Sequence, residues 1–295
     1  MLSDGILRVM VAVSYYTDPL CPWSWAAEPV VRKLMVEFGD GLRWTFLMAG
    51  LERDLLEGRR PGGAGMPAEQ VTRRTTEWLK IAGSQGVPLD PLLWTDNPPI
   101  SSQPACMGVK AAARLSDDSG YRYLRAAREA LICRRIKLDN AEALKQVANA
   151  TGVDAARFDL ELRSHDTTEA LGTDLELTRE LAGGGHTAEH ASDAGGAPLP
   201  TIVFSGDDRV GHGVFGLQPL AAYREAATAA GAQSTGSATL TIDQALDRFG
   251  TLTRAELELL CDLPGPRANA ELWRLAEQWK AKAERCGTEY LWSRP

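Results

Sequence analysis

The first fifty residues set the strongest constraint on the fold. LRVMVAVSYY (7–16) is rich in β-branched and aromatic residues and reads as a buried strand. WSWAAEPVVRKLMVEFGD follows as a helix, with Trp25, Val30, Leu34 and Phe38 on one stripe and Gly39 at its end. Pro29 lies inside this pattern, so a kink or a displaced hydrogen bond is expected there. LRWTFLMAGL (42–51) then alternates as a second strand, with Leu42, Trp44, Phe46 and Met48 on one face. This is a β-α-β unit with Cys21 at the turn from strand to helix, in the stretch DPLCPWSW.

Strand signals then stop. Residues 52–66 are a Gly- and Arg-rich loop, and 67–181 are helical throughout. AGGGHTAEHASDAGGA (182–197) is a Gly-rich loop. PTIVF, a Gly-Asp turn, a short strand near Val210 and the helix GLQPLAAYREAATAAG follow. The order βαβ, helical block, ββα is that of an α/β chain with a thioredoxin fold split by a helical insertion. The expected boundaries are 1–66 for the first half, 67–181 for the insertion and 182–230 for the second half. GAQSTGSA (231–238) reads as a linker by composition.

Residues 239–295 stand apart: three helices, then a hairpin turning at Gly287, a winged-helix-like order. Trp273, Leu275 and Trp279 are the expected core of this small domain. Residues 236–295 hold eight Lys/Arg and nine Asp/Glu, a net charge of −1. Arg267, Arg274 and Lys280 on the third helix alternate with Glu271 and Glu277. That balance disfavours DNA and favours a surface for a protein partner.

The whole chain has 295 residues and a net charge of −7, which argues against broad affinity for nucleic acid or anionic membranes. No apolar run reaches the length of a membrane span or a signal segment, so a cytoplasmic protein is expected. The five cysteines, Cys21, Cys106, Cys133, Cys261 and Cys286, are odd in number and widely spaced, which suits free thiols. Cys133, in the apolar run ALIC, is expected in the core. Cys261 and Cys286 have no expected role. His186, His190 and Asp193 have a metal-like spacing, but the surrounding glycines disfavour a helix there, and no metal is expected.

A thiol at a helix N-terminus meets unpaired N–H groups and the positive end of the dipole. Its pKa can fall from about 8.5 toward roughly 3.5–7.5. Pro22 suits the first helical turn, having no N–H to leave unpaired. Cys21 is therefore placed as a nucleophilic thiolate would be. The competing view is that it is a small buried hydrophobe. Trp25 is expected in the core; Trp23, at the helix N-terminus, is either an exposed substrate platform or packed against the fold.

DPLCPWSW, NPPISSQPACMGVKAA (97–112), YRYLRAAREAL and LPTIVF, in this order, resemble the DsbA-like thioredoxin family. The nearest branch is the cytoplasmic one with FrnE-type proteins and the adaptor of the ClpXP protease. The resemblance covers about residues 8 to 230. It implies a redox cysteine at Cys21 and a cis-proline at Pro200, with Leu199 and Thr201 presenting backbone to a peptide or thiol substrate. It also places Ser101 and Ser102 either as helix caps, the favoured view, or along the substrate cleft.

Ser24 departs from the family pattern, since much of the family has Cys there. A dithiol cycle within the motif is excluded, because Ser24 cannot resolve a mixed disulfide. Its hydroxyl can still hydrogen-bond to a Cys21 thiolate and lower its pKa. Cys106 is the best alternative resolving thiol.

The leading expectation is a monothiol thiol–disulfide oxidoreductase with Cys21, Ser24 and Pro200 as its centre. Pro22, Trp23, Leu199, Thr201, Ser101 and Ser102 would contact a disulfide or glutathionylated substrate. No bound cofactor is expected, and glutathione would be a co-substrate. The alternatives are a glutathione-using transferase or isomerase like the kappa class, and a non-catalytic adaptor.

Overall fold

The structure, a computed structural model, describes residues 10–55, 66–183, 197–236 and 239–295. His186, His190 and Asp193 lie outside the described residues.

Strand β1 (Val11–Thr17) alternates as its sequence demands: Val11, Val13 and Tyr15 are buried, and Ala12 between them is exposed. The following helix is two. α1 (Pro22–Ala26) ends at Ala27, and α2 (Glu28–Phe38) begins with Pro29 in its first turn. Proline tolerates that position because the N–H it lacks would have no intrahelical acceptor. Gly39 stops α2 at a φ of 52°. β2 (Leu42–Met48) pairs parallel with β1, Val11 opposite Leu42.

Seven helices make the insertion. They are α3 (Ala68–Gln85), α4 (Leu93–Asp96), α5 (Gln103–Ala113), α6 (Ser119–Arg128), α7 (Ala141–Ala150), α8 (Ala155–Leu162) and α9 (His165–Gly183). A π-helical turn, Glu129–Cys133, extends α6. The chain then returns as β3 (Thr201–Ser205), β4 (Gly211–Phe215) and α10 (Leu220–Ala229). The sheet order is β2-β1-β3-β4, with β3 antiparallel to both neighbours. Val13, Leu34, Phe38, Ile202, Phe204 and Tyr223 form the core between this sheet and α2 and α10. A second core, with Trp25, Trp78, Trp94 and Tyr123, fills the helical insertion.

The C-terminal segment holds α11 (Ile242–Phe249), β5 (Thr251–Leu252), α12 (Arg254–Leu260), α13 (Gly265–Glu277), β6 (Lys282–Cys286) and β7 (Glu289–Ser293). β7 lies between β5 and β6, with the hairpin turning at Gly287 (φ 58°). Thr241 and Thr253 each form a complete capping box, the sequence signal that fixes where α11 and α12 start. The core here differs from expectation. Leu275 is buried, but Trp273 is 43% exposed and Trp279 86% exposed. Leu246, Leu257, Leu260, Leu272 and Trp292 do the packing instead. Trp279 follows the last turn of α13 with φ 58°, which carries it off the helix's apolar stripe.

This segment is docked rather than tethered. α12 packs along α2, and Cys286 and Leu291 insert into the core of the helical insertion. Cys286, expected to have no role, touches Cys133 there; burial and this neighbour push the Cys133 thiol well up. Even the linker is held, since the Thr235 N–H donates to the Glu37 carbonyl at 2.8 Å. No described helix is long and apolar enough to cross a membrane.

Candidate functional site

β1 ends at Thr17 and the chain turns through Asp18–Cys21 into α1. Asp18 Oδ1 accepts the Leu20 N–H at 2.8 Å, an Asx turn that reverses the chain and aims α1. Cys21 is the N-cap of α1, with extended backbone (φ −75°, ψ 114°). Its Sγ accepts the Ser24 N–H at 3.4 Å, so the sulfur takes the place of a capping oxygen. Thr201 pairs with Tyr16 at the end of β1 from which this turn leaves. Leu199, Pro200 and Thr201 therefore lie at the same end of the sheet as Cys21. The Leu199–Pro200 peptide bond is cis.

The site is closed. Cys21, Pro22, Ser24, Ser102, Leu199, Pro200 and Thr201 are all buried, while Trp23 and Ser101 are half-buried. Of the two roles open to Trp23, the structure shows a half-buried ring. It packs against the core of the insertion, and its Nε1 donates to Glu77 on α3 at 3.3 Å. Trp25 is fully buried, with Nε1 donating to the Pro88 carbonyl at 2.8 Å. Thr201 Oγ1 donates to the Pro198 carbonyl at 2.6 Å, which fixes the loop before β3.

Ser102 occupies the N-cap position of α5 but makes no side-chain cap. Its hydroxyl donates to Asp18 Oδ2 at 2.8 Å instead. Ser101 takes the local role, accepting the Gln103 N–H at 3.1 Å and donating to the Glu52 carbonyl at 2.8 Å. The capping expectation fails at Ser102 because its backbone is already helical (φ −85°, ψ −15°) and its oxygen accepts the Glu52 N–H at 3.2 Å instead. Cys106, the expected alternative resolving thiol, also points at Asp18, its Sγ donating to Oδ2 at 3.5 Å. All five cysteines are free thiols.

Electrostatics here oppose thiolate formation. Burial pushes the Cys21 thiol up to about 11. The Ser24 side chain, the Ser24 N–H and Arg128 pull it down, but the Asp18 carboxylate pushes the other way. The Ser24 hydroxyl makes no hydrogen bond among the described residues, so it is free to turn toward a Cys21 thiolate. Desolvation works against the lowering expected from the helix N-terminus, because it penalises the charged form most where water is excluded. Burial also raises Cys106, reinforced by the Asp18 charge. Asp18 itself is raised by burial, offset in part by the Leu20 and Leu51 N–H groups, Ser102 and Cys106.

Asp18 is the residue that the sequence reading passed over. It organises the turn, Ser102, Cys106 and the Leu51 N–H at once. An Asp two residues before a turn N–H, in the D of DPLC, was the available signal. Arg128, which bonds Thr17 and Glu28, had no local signal at all.

Beside the closed cysteine lies an open groove of about 550 Å3. Trp23, Leu217 and Pro219 line it from the thioredoxin side, and Ala255, Glu258 and Leu259 of α12 form its other wall. The C-terminal segment therefore meets the candidate site directly.

The thioredoxin family model matches residues 15–186, more than half of the chain. The chain belongs to the thioredoxin family. Among named relatives it is similar to the ClpXP adapter protein SpxH of Shouchella clausii, 28% identical over 283 residues, covering 94% of this chain and 87% of that one. It is also similar to SpxH of Halalkalibacterium halodurans, 32% identical over 176 residues, covering 59% of this chain and 56% of that one. The chain thus spans little more than half the length of the latter relative. Among solved structures, a candidate protein disulfide isomerase from Nitrosomonas europaea superposes with a TM-score of 0.60 at 18% identity, covering 74% of this chain and 96% of that one. The cytosolic disulfide reductase DsbM from Pseudomonas aeruginosa superposes with a TM-score of 0.53 at 17% identity, covering 73% and 92%. At these identities the structural neighbours share this thioredoxin-family member's fold.

Proposed function

We propose that this thioredoxin-family protein is a cytoplasmic adaptor that holds a protein partner for a ClpXP-type protease, using the fold without turning over disulfides. The observation that carries this is Cys21, buried, pushed up to about 11 and facing Ser24 where a second thiol would stand. The likeness to SpxH along 94% of the chain supports the same reading. The docked C-terminal segment, walling the groove beside Trp23, supports a binding surface made jointly by both parts.

The test is the rate of Cys21 alkylation against pH in the folded protein, read by mass spectrometry with Cys21→Ser as control. Negligible reaction at pH 7 and an apparent pKa above 9 are expected. In parallel, Cys21→Ser should keep full ability to speed degradation of a partner by the protease. An apparent pKa below about 7.5 would instead make the protein a working one-sulfur enzyme.

A second reading keeps monothiol exchange on disulfides or glutathionylated substrates, with glutathione as co-substrate. It is favoured by Cys21 as N-cap of α1 and by Leu199, Pro200 and Thr201 at the same end of the sheet. It requires α3 and the Trp23–Glu77 contact to move and readmit water to the sulfur. Glutathione binding that is lost in Cys21→Ser would support it over the adaptor.

A further inference from the structure

A cavity of about 950 Å3 opens where α6 and α7 face the C-terminal segment. None of residues 18–25 or 199–201 lines it, so it is distinct from the cysteine site. Its volume is at the upper end of the range of small-molecule pockets, and interfaces between structural units are a usual place for them.

The lining sorts into three parts. The floor is polar and already satisfied: Arg32, Arg125 and Glu129 are buried and bonded to one another's partners, with Tyr121 and Thr251 completing the layer. One wall is aliphatic and aromatic, with Ala126, Ala130, Ile136, Val147 and Phe249. Ile136 is 41% exposed there, a large apolar side chain left facing water. Arg122, Arg134 and Arg248 also line it, with Asp118 beside Arg122 and Glu129 beside Arg134.

These three arginines are not equivalent. Arg134 is committed to Glu284 and Glu129, and Arg122 to Asp118. Arg248, on α11, pairs with no carboxylate among the described residues. It donates to the Met35 carbonyl at 3.3 Å and lies over its neighbour Phe249, 5.5 Å from the ring centroid. One uncommitted cation therefore stands beside an apolar wall. A polyanion would find only this single free charge. A neutral apolar ligand would leave it unused. A cationic ligand would meet five lining arginines against Asp118 and Glu129.

We propose that this cavity binds an amphiphilic carboxylic acid, with its apolar body between α7 and Phe249 and its carboxylate on Arg248. A ligand there would touch the helical insertion and the C-terminal segment together.

The test is titration of the full chain with dodecanoate, dodecanol and dodecyltrimethylammonium below their micelle concentrations, followed by calorimetry. Saturable binding of dodecanoate at one site is expected, at least tenfold tighter than the alcohol or the cation. Arg248→Gln should weaken dodecanoate at least tenfold and bring it level with the alcohol, while Arg248→Lys should keep most of the affinity. Arg248 is exposed, so these variants retain the fold, which thermal melting checks. Val147→Trp, which fills the apolar wall, should abolish binding of acid and alcohol alike. Equal binding of all three head groups, dodecanoate binding indifferent to Arg248→Gln, or no saturable binding to the native chain would each overturn the proposal.

Discussion

Two buried polar regions, one around Cys21 and one under the C-terminal segment, differ in one ingredient. Around Cys21, the groups Asp18, Cys21, Ser102 and Cys106 cluster with Arg128 as the nearby cation. Under the C-terminal segment, Glu28, Glu129 and Glu256 meet Arg32, Arg125 and Arg128. Arg125 grips Glu256 with two bonds, 2.6 and 3.1 Å, and also reaches Glu129 at 2.8 Å. Both regions are almost dry. In the first, burial prevails and Asp18, Cys21 and Cys106 are all pushed up. In the second, burial pushes Glu28 and Glu129 up too, but the arginines outweigh it and hold both below the usual carboxylate range. Burial alone does not set ionisation; burial and the number of partner charges set it together. The cation-rich region glues the C-terminal segment on, and the cation-poor region keeps a thiol neutral.

Breaking the cation-rich side should have the largest effect. Glu256→Gln leaves Arg125 and Arg32 buried with a neutral partner, and removing one member of such a pair costs about 3–5 kcal/mol. Urea denaturation should show this loss, and Cys286, which docks with the same segment, should become open to alkylation. An unchanged midpoint would mean that the network contributes nothing to docking.

The pH profile separates the regions next. Glu28 and Glu129 have folded-state values below their ordinary 4.5. Their contribution is complete above about pH 4.5 and is lost as pH falls through the folded values. Asp18 has the opposite sign: its raised value costs stability at neutral pH, and that cost is relieved as pH falls. The urea midpoint should therefore hold or rise slightly from pH 7 toward 5, then fall steeply. Glu129→Gln should make that acid limb shallower.

On the cation-poor side, Ser102→Ala removes a 2.8 Å bond to the Asp18 carboxylate. Hydrogen bonds to charged groups contribute about 1.5–3 kcal/mol, so a loss in that range is expected by urea denaturation. Ser24→Ala should have the smallest effect, within about 0.5 kcal/mol, because the hydroxyl it removes has no partner to orphan. Its signature lies in the alkylation profile, where the Cys21 pKa should move further up.

Much of the fold was legible because it is written in local pattern. The alternation of Val11, Val13 and Tyr15, the stripe on α2, the turn at Gly287 and the strand after Pro200 each follow from a few adjacent residues. The order of these elements carries the split thioredoxin architecture. Trp279 misled because α13 ends at Glu277, before it, and Trp273 because it sits beside the buried stripe of Ala268, Leu272 and Leu275, edge-on to Trp292 and Tyr290. Ser102 misled because a local capping rule cannot see the Glu52 N–H or the Asp18 carboxylate, both distant along the chain.

That a cysteine caps a helix at the end of the first strand, with no second thiol in its motif, follows from the order of residues alone. Those are statements about neighbours along the chain. What that cysteine can do depends on groups far away along the chain. The helix N-terminus that favours a thiolate is local, but the desolvation that opposes it comes from the segments that close over Cys21, from Asp18 held in place by α5, and from the shortage of cations there. The arginines that could have reversed the balance are spent instead on the carboxylates beneath the C-terminal segment.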